Sequence, residues 1–211
     1  MLMPNEILLA FDPGHGTREY MSPAQGKHSP DYSIYEGEYV REIVARLMPA
    51  CEELGFRVTN IVPEKLDISR PERCYRANSL YAKNPNMYYI SVHLNASPPN
   101  DNKWHKPTGF AVYVCDRASE KSRILAKNIC DAAMELGLSG DRDIPPCHYW
   151  TANYDVITRT RMPAVLTENL FQDNKQDVAY LLSEAGKEAI VNLHIAGICK
   201  TFGIPYTIKR V

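Results

Sequence analysis

The chain has 211 residues and is close to electrically neutral, with 24 lysines and arginines against 25 aspartates and glutamates. That balance leaves no electrostatic footprint for nucleic acid or an anionic membrane surface, and no apolar run approaches the roughly 20 residues needed to span a bilayer. The length suits one α/β domain over 1–211, with a core of about 5–203 and a short C-terminal tail.

The opening Met1-Leu2-Met3-Pro4-Asn5-Glu6 lacks the basic start and the small-residue cleavage site of a secretory leader, so no signal peptide is expected in this chain. Ile7-Leu8-Leu9-Ala10-Phe11 then reads as a short buried strand. It runs into Asp12-Pro13-Gly14-His15-Gly16, a turn that presents an imidazole at the strand's C-terminal edge, where open α/β sheets place their ligands. Residues 13–35 form a long irregular stretch rich in Gly, Pro, Ser and Tyr, and loops of that length are usually functional or mobile. Val40, Ile43, Val44, Leu47, Cys51 and Leu54 recur at helical spacing until Gly55, with Pro49 predicting a kink or a break.

Residues 56–61 read as a strand, and Asp67 or Ser69 caps a helix reaching about Lys83, with Pro71 in its first turn. Strand 87–92 runs into His93-Leu94-Asn95-Ala96-Ser97, followed by a polar loop over 97–108 and a strand over 109–115. Ser119 opens a helix whose Leu125, Ile129, Ala132 and Leu136 share one face before Gly137. Residues 138–153 resist assignment. Strand 163–168 delivers Glu168, and two closing helices span roughly 174–183 and 184–202 before Gly203 and Pro205. This alternation predicts a mixed, mostly parallel, twisted sheet of about six strands flanked by helices on both faces. The six cysteines (51, 74, 115, 130, 147 and 199) contain no Cys-x-x-Cys pair, and they read as free thiols packed as small hydrophobes, not as a disulfide framework.

Two histidines and two carboxylates stand out, His15, Glu36, His93 and Glu168, three of them at predicted strand ends. Zinc takes neutral imidazole and carboxylate, and hydrolytic sites use three protein ligands with a fourth position left for water. His15, Glu36 and His93 supply that number, provided the first and third strands are parallel neighbours. Glu168 then serves as general base and proton donor to a departing amine. Taken singly, each has a plainer alternative: a histidine in a glycine turn, a half-buried histidine, or an ion pair of Glu168 with Arg159 or Arg161.

The combination resembles the zinc-dependent N-acetylmuramoyl-L-alanine amidases of the amidase-3 class, free-standing and endolysin-like. The likeness is carried by Asp-Pro-Gly-His-Gly, a Glu opening the amphipathic helix, Ser-Val-His-Leu-Asn-Ala, and Pro-Ala-Val-Leu-Thr-Glu with Phe171 and Asp173-Asn174 behind it. Arg76-Ala77-Asn78, Gly109-Phe110 and the closing Ala-rich helix agree, and the resemblance covers about 5–205. It implies zinc ligands at His15, Glu36 and His93, and a catalytic Glu168. Register with the family's helix favours Glu36 over Glu38, and two residues on a helix are about 200° apart, so only one can face the metal.

The implied reaction is hydrolysis of the amide between N-acetylmuramic acid and L-alanine of the stem peptide, on peptidoglycan at the bacterial wall, by a chain expected to be monomeric. The implied cleft is lined by loops 17–35, 97–108 and 147–154, with Asn95, Trp104, His148 and Tyr149 as candidate substrate contacts. His28 and His148 are expected to be surface residues and not further ligands. Two other readings are a zinc amidohydrolase for a different acyl-amine, and a non-catalytic wall-binding or zinc-sequestering module. Glu168 counts against the second, because binding alone needs no base.

Overall fold

The computed structural model describes residues 2–208 apart from 22–24, 26 and 100. Those positions of the predicted 13–35 and 97–108 loops, with Met1 and the last three residues, lie outside the described residues.

Six strands, β1 (Leu8–Pro13), β2 (Arg57–Asn60), β3 (Met87–Asn95), β4 (Ala111–Val114), β5 (Trp150–Thr151) and β6 (Ala164–Phe171), form one sheet in the order β2-β1-β3-β6-β4-β5. All neighbours pair in parallel except β4 and β6. The helices are α1 (Glu36–Glu53), α2 (Arg70–Tyr81), α3 (Glu120–Glu135), α4 (Asp155–Thr158), α5 (Lys175–Leu182) and α6 (Glu184–Phe202). The expected mixed, mostly parallel sheet is what forms. Within the unassigned stretch, β5 adds two residues at the sheet edge; α4 is a single turn with no apolar period long enough to read.

β1, β3 and β6 are buried on both faces, which is why their sequences are nearly continuous apolar runs. Alternate residues face opposite ways. Leu9, Phe11, Ile90, Val92 and Val165 join the core under α1, α3, α5 and α6, whereas Leu8, Ala10, Met87, Tyr89, Ala164 and Leu166 pack toward α2 and α4. Continuing that second set by period two reaches Asp12, Ser91, His93 and Glu168, so the sheet alternation aligns the polar residues of the site on one face.

The connection β1–α1–β2 moves one way across the sheet and β2–α2–β3 returns past β1 to the other side. Right-handed crossovers then put α1 and α2 on opposite faces and open a crevice at the carboxyl ends of β1 and β3. Two expectations change. Of the kink or break expected at Pro49, no break forms: the chain stays helical through it, because Val40, Ile43, Val44, Leu47 and Cys51 bury one continuous stripe across it, each large side chain contributing about 2 kcal/mol. And β3 and β6 run on past the predicted ends, so His93 and Glu168 sit inside paired strands, opposite one another in the ladder.

All six cysteines are free, as read: Cys51, Cys74, Cys130 and Cys199 are buried in helices and Cys115 follows β4, but Cys147 is exposed and does not pack as a small hydrophobe. His194, fully buried in α6, donates from Nδ1 to the Ile190 carbonyl at 2.8 Å, with Nε2 3.0 Å from Thr167 Oγ1. Burial lowers its pKa from 6.5 to about 4. Below pH 6.5 the unfolded chain therefore binds a proton that the folded chain refuses. The stability associated with neutral His194 is complete above that pH and is lost progressively toward pH 4. Urea midpoints of metal-free protein are expected to fall over this window, and His194→Gln should flatten the fall.

Candidate metal centre and cleft

The turn after β1 is built for close approach. A Cβ on Gly14 would lie 2.3 Å from the His93 ring, and one on Gly37 would lie 1.9 Å from the Gly16 carbonyl oxygen. His15 adopts a left-handed backbone with φ of 56°, unusual for a residue with a side chain. Two arginines hold it there: the His15 carbonyl accepts from Arg41 Nη1 at 2.7 Å and from Arg73 Nη2 at 3.3 Å.

Glu36 opens α1 with its backbone N–H donating to the Lys27 carbonyl at 3.0 Å, and its side chain is 1 % exposed. Its Oε1 lies 3.4 Å from His15 Nε2 and 3.0 Å from His93 Nδ1, and accepts from the Leu94 N–H at 3.1 Å. Donor atoms of His15, Glu36 and His93 all lie within 4.8 Å of one another. Glu38, two residues on, turns away and pairs with Arg18 Nη2 at 2.7 Å. The parallel pairing of β1 with β3 brings the two histidines together, with ring centroids 5.1 Å apart.

Glu168 stands opposite His93 across the β3–β6 ladder and opposite Ala111 across β4. Just beyond it the register slips, with His93 facing Glu168 but Asn95 facing Phe171, so β6 carries one extra residue. Such bulges re-aim side chains next to active sites. Here the bulge includes Leu170 at φ of 64°, and Asn169 Nδ2 donates to the His93 carbonyl at 2.9 Å.

Burial lowers the His15 pKa from 6.5 to about 3, so the ring is neutral at pH 7. Burial, reinforced by the charge of Glu36, pushes the Glu168 carboxyl well above the usual carboxylate range. For Glu36 burial acts upward too, but His15, His93 and Lys27 outweigh it and hold the carboxyl low.

The residues fit a divalent ion. Two imidazoles and one carboxylate are a zinc donor set, and donors around a tetrahedral zinc stand roughly 3.3 Å apart, close to the observed separations. Glu36 Oε2, 3.8 Å from Lys27 Nζ, and Glu168 Oε2 are buried with no hydrogen-bond partner, so the site keeps open acceptor positions that a cation could fill.

These four residues line a cleft of about 810 Å³, together with Lys27, Arg70, Asn95, Tyr154 and Asp155. Of the candidate substrate contacts, Asn95 is on its wall. Trp104, His148 and Tyr149 are not: Trp104 is exposed elsewhere, His148 Nδ1 is bonded to Asp131 Oδ1 at 2.5 Å, and Tyr149 packs on the main core. The 147–154 segment contributes only Tyr154, because β5 and α4 turn its earlier residues away. His28 is bonded to its neighbour's carbonyl and stacked on Tyr32, and no ion pair joins Glu168 to Arg159 or Arg161 among the described residues. Lys27, Arg70 and Asp155 went unread in the sequence, since single charged residues in polar stretches carry no periodic signal.

The family described as N-acetylmuramoyl-L-alanine amidase matches residues 9–200. An N-acetylmuramoyl-L-alanine amidase, CwlM, of Bacillus licheniformis is 25% identical over 198 residues, covering 94% of this chain and 70% of that protein. An endolysin of Bacillus phage SPP1 is 26% identical over 203 residues, covering 93% and 66%. The chain thus spans about two thirds of the length of these relatives. An N-acetylmuramoyl-L-alanine amidase from Clostridium difficile 630 shares the fold at a TM-score of 0.78 and 19% identity, over 94% of this chain and 98% of that one.

Proposed function

This chain belongs to the N-acetylmuramoyl-L-alanine amidase family, and from that premise we propose that it hydrolyses the amide joining N-acetylmuramic acid to L-alanine of the peptidoglycan stem peptide, with zinc held by His15, Glu36 and His93. The observation that supports this reading most directly is the gathering of those three donors in the wall of one cleft, with Glu168 lining it too. Zinc held there supplies a Lewis acid that polarises the scissile carbonyl and acidifies water.

The protein's own part is proton handling and orientation. Glu168, opposite His93, takes a proton from the attacking water at a carboxylate oxygen and passes it to the amine nitrogen as the C–N bond breaks. The strands on either side leave Glu168 little freedom to wander from the scissile bond. The cleft wall at Asn95, Arg70 and Tyr154 offers hydrogen bonds and an aromatic edge to the glycan-peptide substrate. No helix among the described residues is long and apolar enough to cross a membrane, and action on peptidoglycan takes the protein to the cell wall.

Purified sacculi digested with the protein, followed by mass analysis, test the substrate. Intact stem peptides with free L-alanine amino termini and glycan bearing free lactyl carboxylates are expected. Unaltered sacculi from a protein that cleaves simple N-acyl amines would replace this reading by a different amidohydrolase.

A further inference from the structure

Behind the metal ligands lies a buried polar chain with a defined direction. Arg73, 3 % exposed, donates from Nη1 to Asp12 Oδ1 at 2.6 Å and to the Pro13 carbonyl at 2.7 Å, and from Nε to the Ile68 carbonyl at 2.7 Å. The other oxygen of Asp12 accepts from the Tyr89 hydroxyl at 2.5 Å and from Ser91 Oγ at 2.9 Å. Ser91 Oγ is in turn 3.1 Å from His93 Nε2. Asp12, Ser91 and Tyr89 are wholly buried, so no solvent enters this count.

The protons of the chain can be assigned. Arginine and tyrosine arrive as donors, and a carboxylate has only acceptor sites. Ser91 has one hydroxyl proton, and the carboxylate beside it, the stronger acceptor, takes that proton. The Ser91 oxygen can then only accept from His93, which requires the proton on Nε2. Nδ1 is left with a bare lone pair, 3.0 Å from Glu36 Oε1, itself an acceptor. Two lone pairs 3.0 Å apart repel, so this placement of protons holds when a cation lies between them; without one, Nδ1 donates to the Glu36 carboxylate instead.

We propose that Ser91, held by the Asp12–Arg73 pair, is a positioning residue that selects the Nε2–H tautomer of His93 and so presents Nδ1 to the metal. Arg73 serves both imidazoles, since the same guanidinium also grips the His15 carbonyl. Outer partners of metal-bound histidines act in this way, and losing one typically costs 10–100-fold in metal affinity. The inference rests on the metal reading above, and what tests it separately is which imidazole nitrogen the metal takes.

In zinc-loaded full-length protein, long-range ¹H–¹⁵N correlation of the imidazoles, assigned through the backbone, should show His93 protonated at Nε2 and metal-bound at Nδ1. Ser91→Ala should raise the zinc Kd, by chelator competition, 10–100-fold. Asp12→Asn, whose amide can donate to Ser91, should turn the hydroxyl proton toward His93, favour the Nδ1–H form and so weaken zinc as well. A wild-type His93 that binds zinc through Nε2, with its proton on Nδ1, overturns the proposal whatever the variants do. So does a folded Ser91→Ala with wild-type zinc affinity. Absence of zinc from the wild type by elemental analysis would instead strike the metal reading, and this inference with it.

Discussion

Glu168→Gln is expected to lower amide hydrolysis by about a thousandfold, the middle of the 10²–10⁴ range that a positioned acid–base group supplies, while the protein still folds and still binds metal. The substitution is nearly isosteric and removes the one carboxyl in the cleft wall that has a buried oxygen without a hydrogen-bond partner and is not a donor in the metal cluster. Stability should rise slightly or hold, because burial and the Glu36 charge already penalise ionised Glu168, and an amide ends that penalty. Soluble muramyl-peptide release gives the rate, and thermal unfolding gives the stability. A variant as fast as the wild type would mean that the proton travels by another group. A variant that is slow and also metal-free would mean that Glu168 acts through the metal site.

Removal of the ion is the second large effect. Exhaustive chelation should bring hydrolysis to background, Zn²⁺ should restore it, and His93→Ala should not be restored. Losing one of three protein donors is expected to weaken zinc by more than the roughly 100-fold that outer-shell changes cost. Metal that binds only the folded chain also stabilises it, by about 4 kcal/mol at a thousandfold excess over Kd, so chelation should lower the melting temperature of the wild type and leave that of His93→Ala in place. Elemental analysis fixes the metal content in each case. Full activity in the chelated protein with no metal remaining would remove His15, Glu36 and His93 from the mechanism. Neutral His15 at pH 7 makes this site ready for metal: burial has already displaced the proton that an exposed imidazole would have to release.

The fold was legible because its signals are local and periodic. Apolar runs of five or six residues separated by helical spacings mark buried parallel strands with crossover helices, and Ser69 and Ser119 do cap α2 and α3 as their positions ahead of the apolar patterns suggest. The centre was legible as four motifs in order. Their exact standing was not: His93 and Glu168 read as strand ends, but each strand pairs on past them, because the partner across the ladder, which no single segment reveals, sustains it. The cleft lining was poorly legible for a related reason. Trp104, His148 and Tyr149 were attractive as aromatics in polar loops, yet a hydrogen bond with Asp131 and contacts with the core turn the latter two away.

By itself the sequence determined which residues could bind a metal and move a proton, since side-chain chemistry and burial alternation belong to each segment. Tertiary structure alone decided that Ser91, Asp12 and Arg73 stand behind the histidines. The physical reason is reach: Arg73 is 61 residues from Asp12, and a bond made at that separation depends on how helix α2 lies over the sheet.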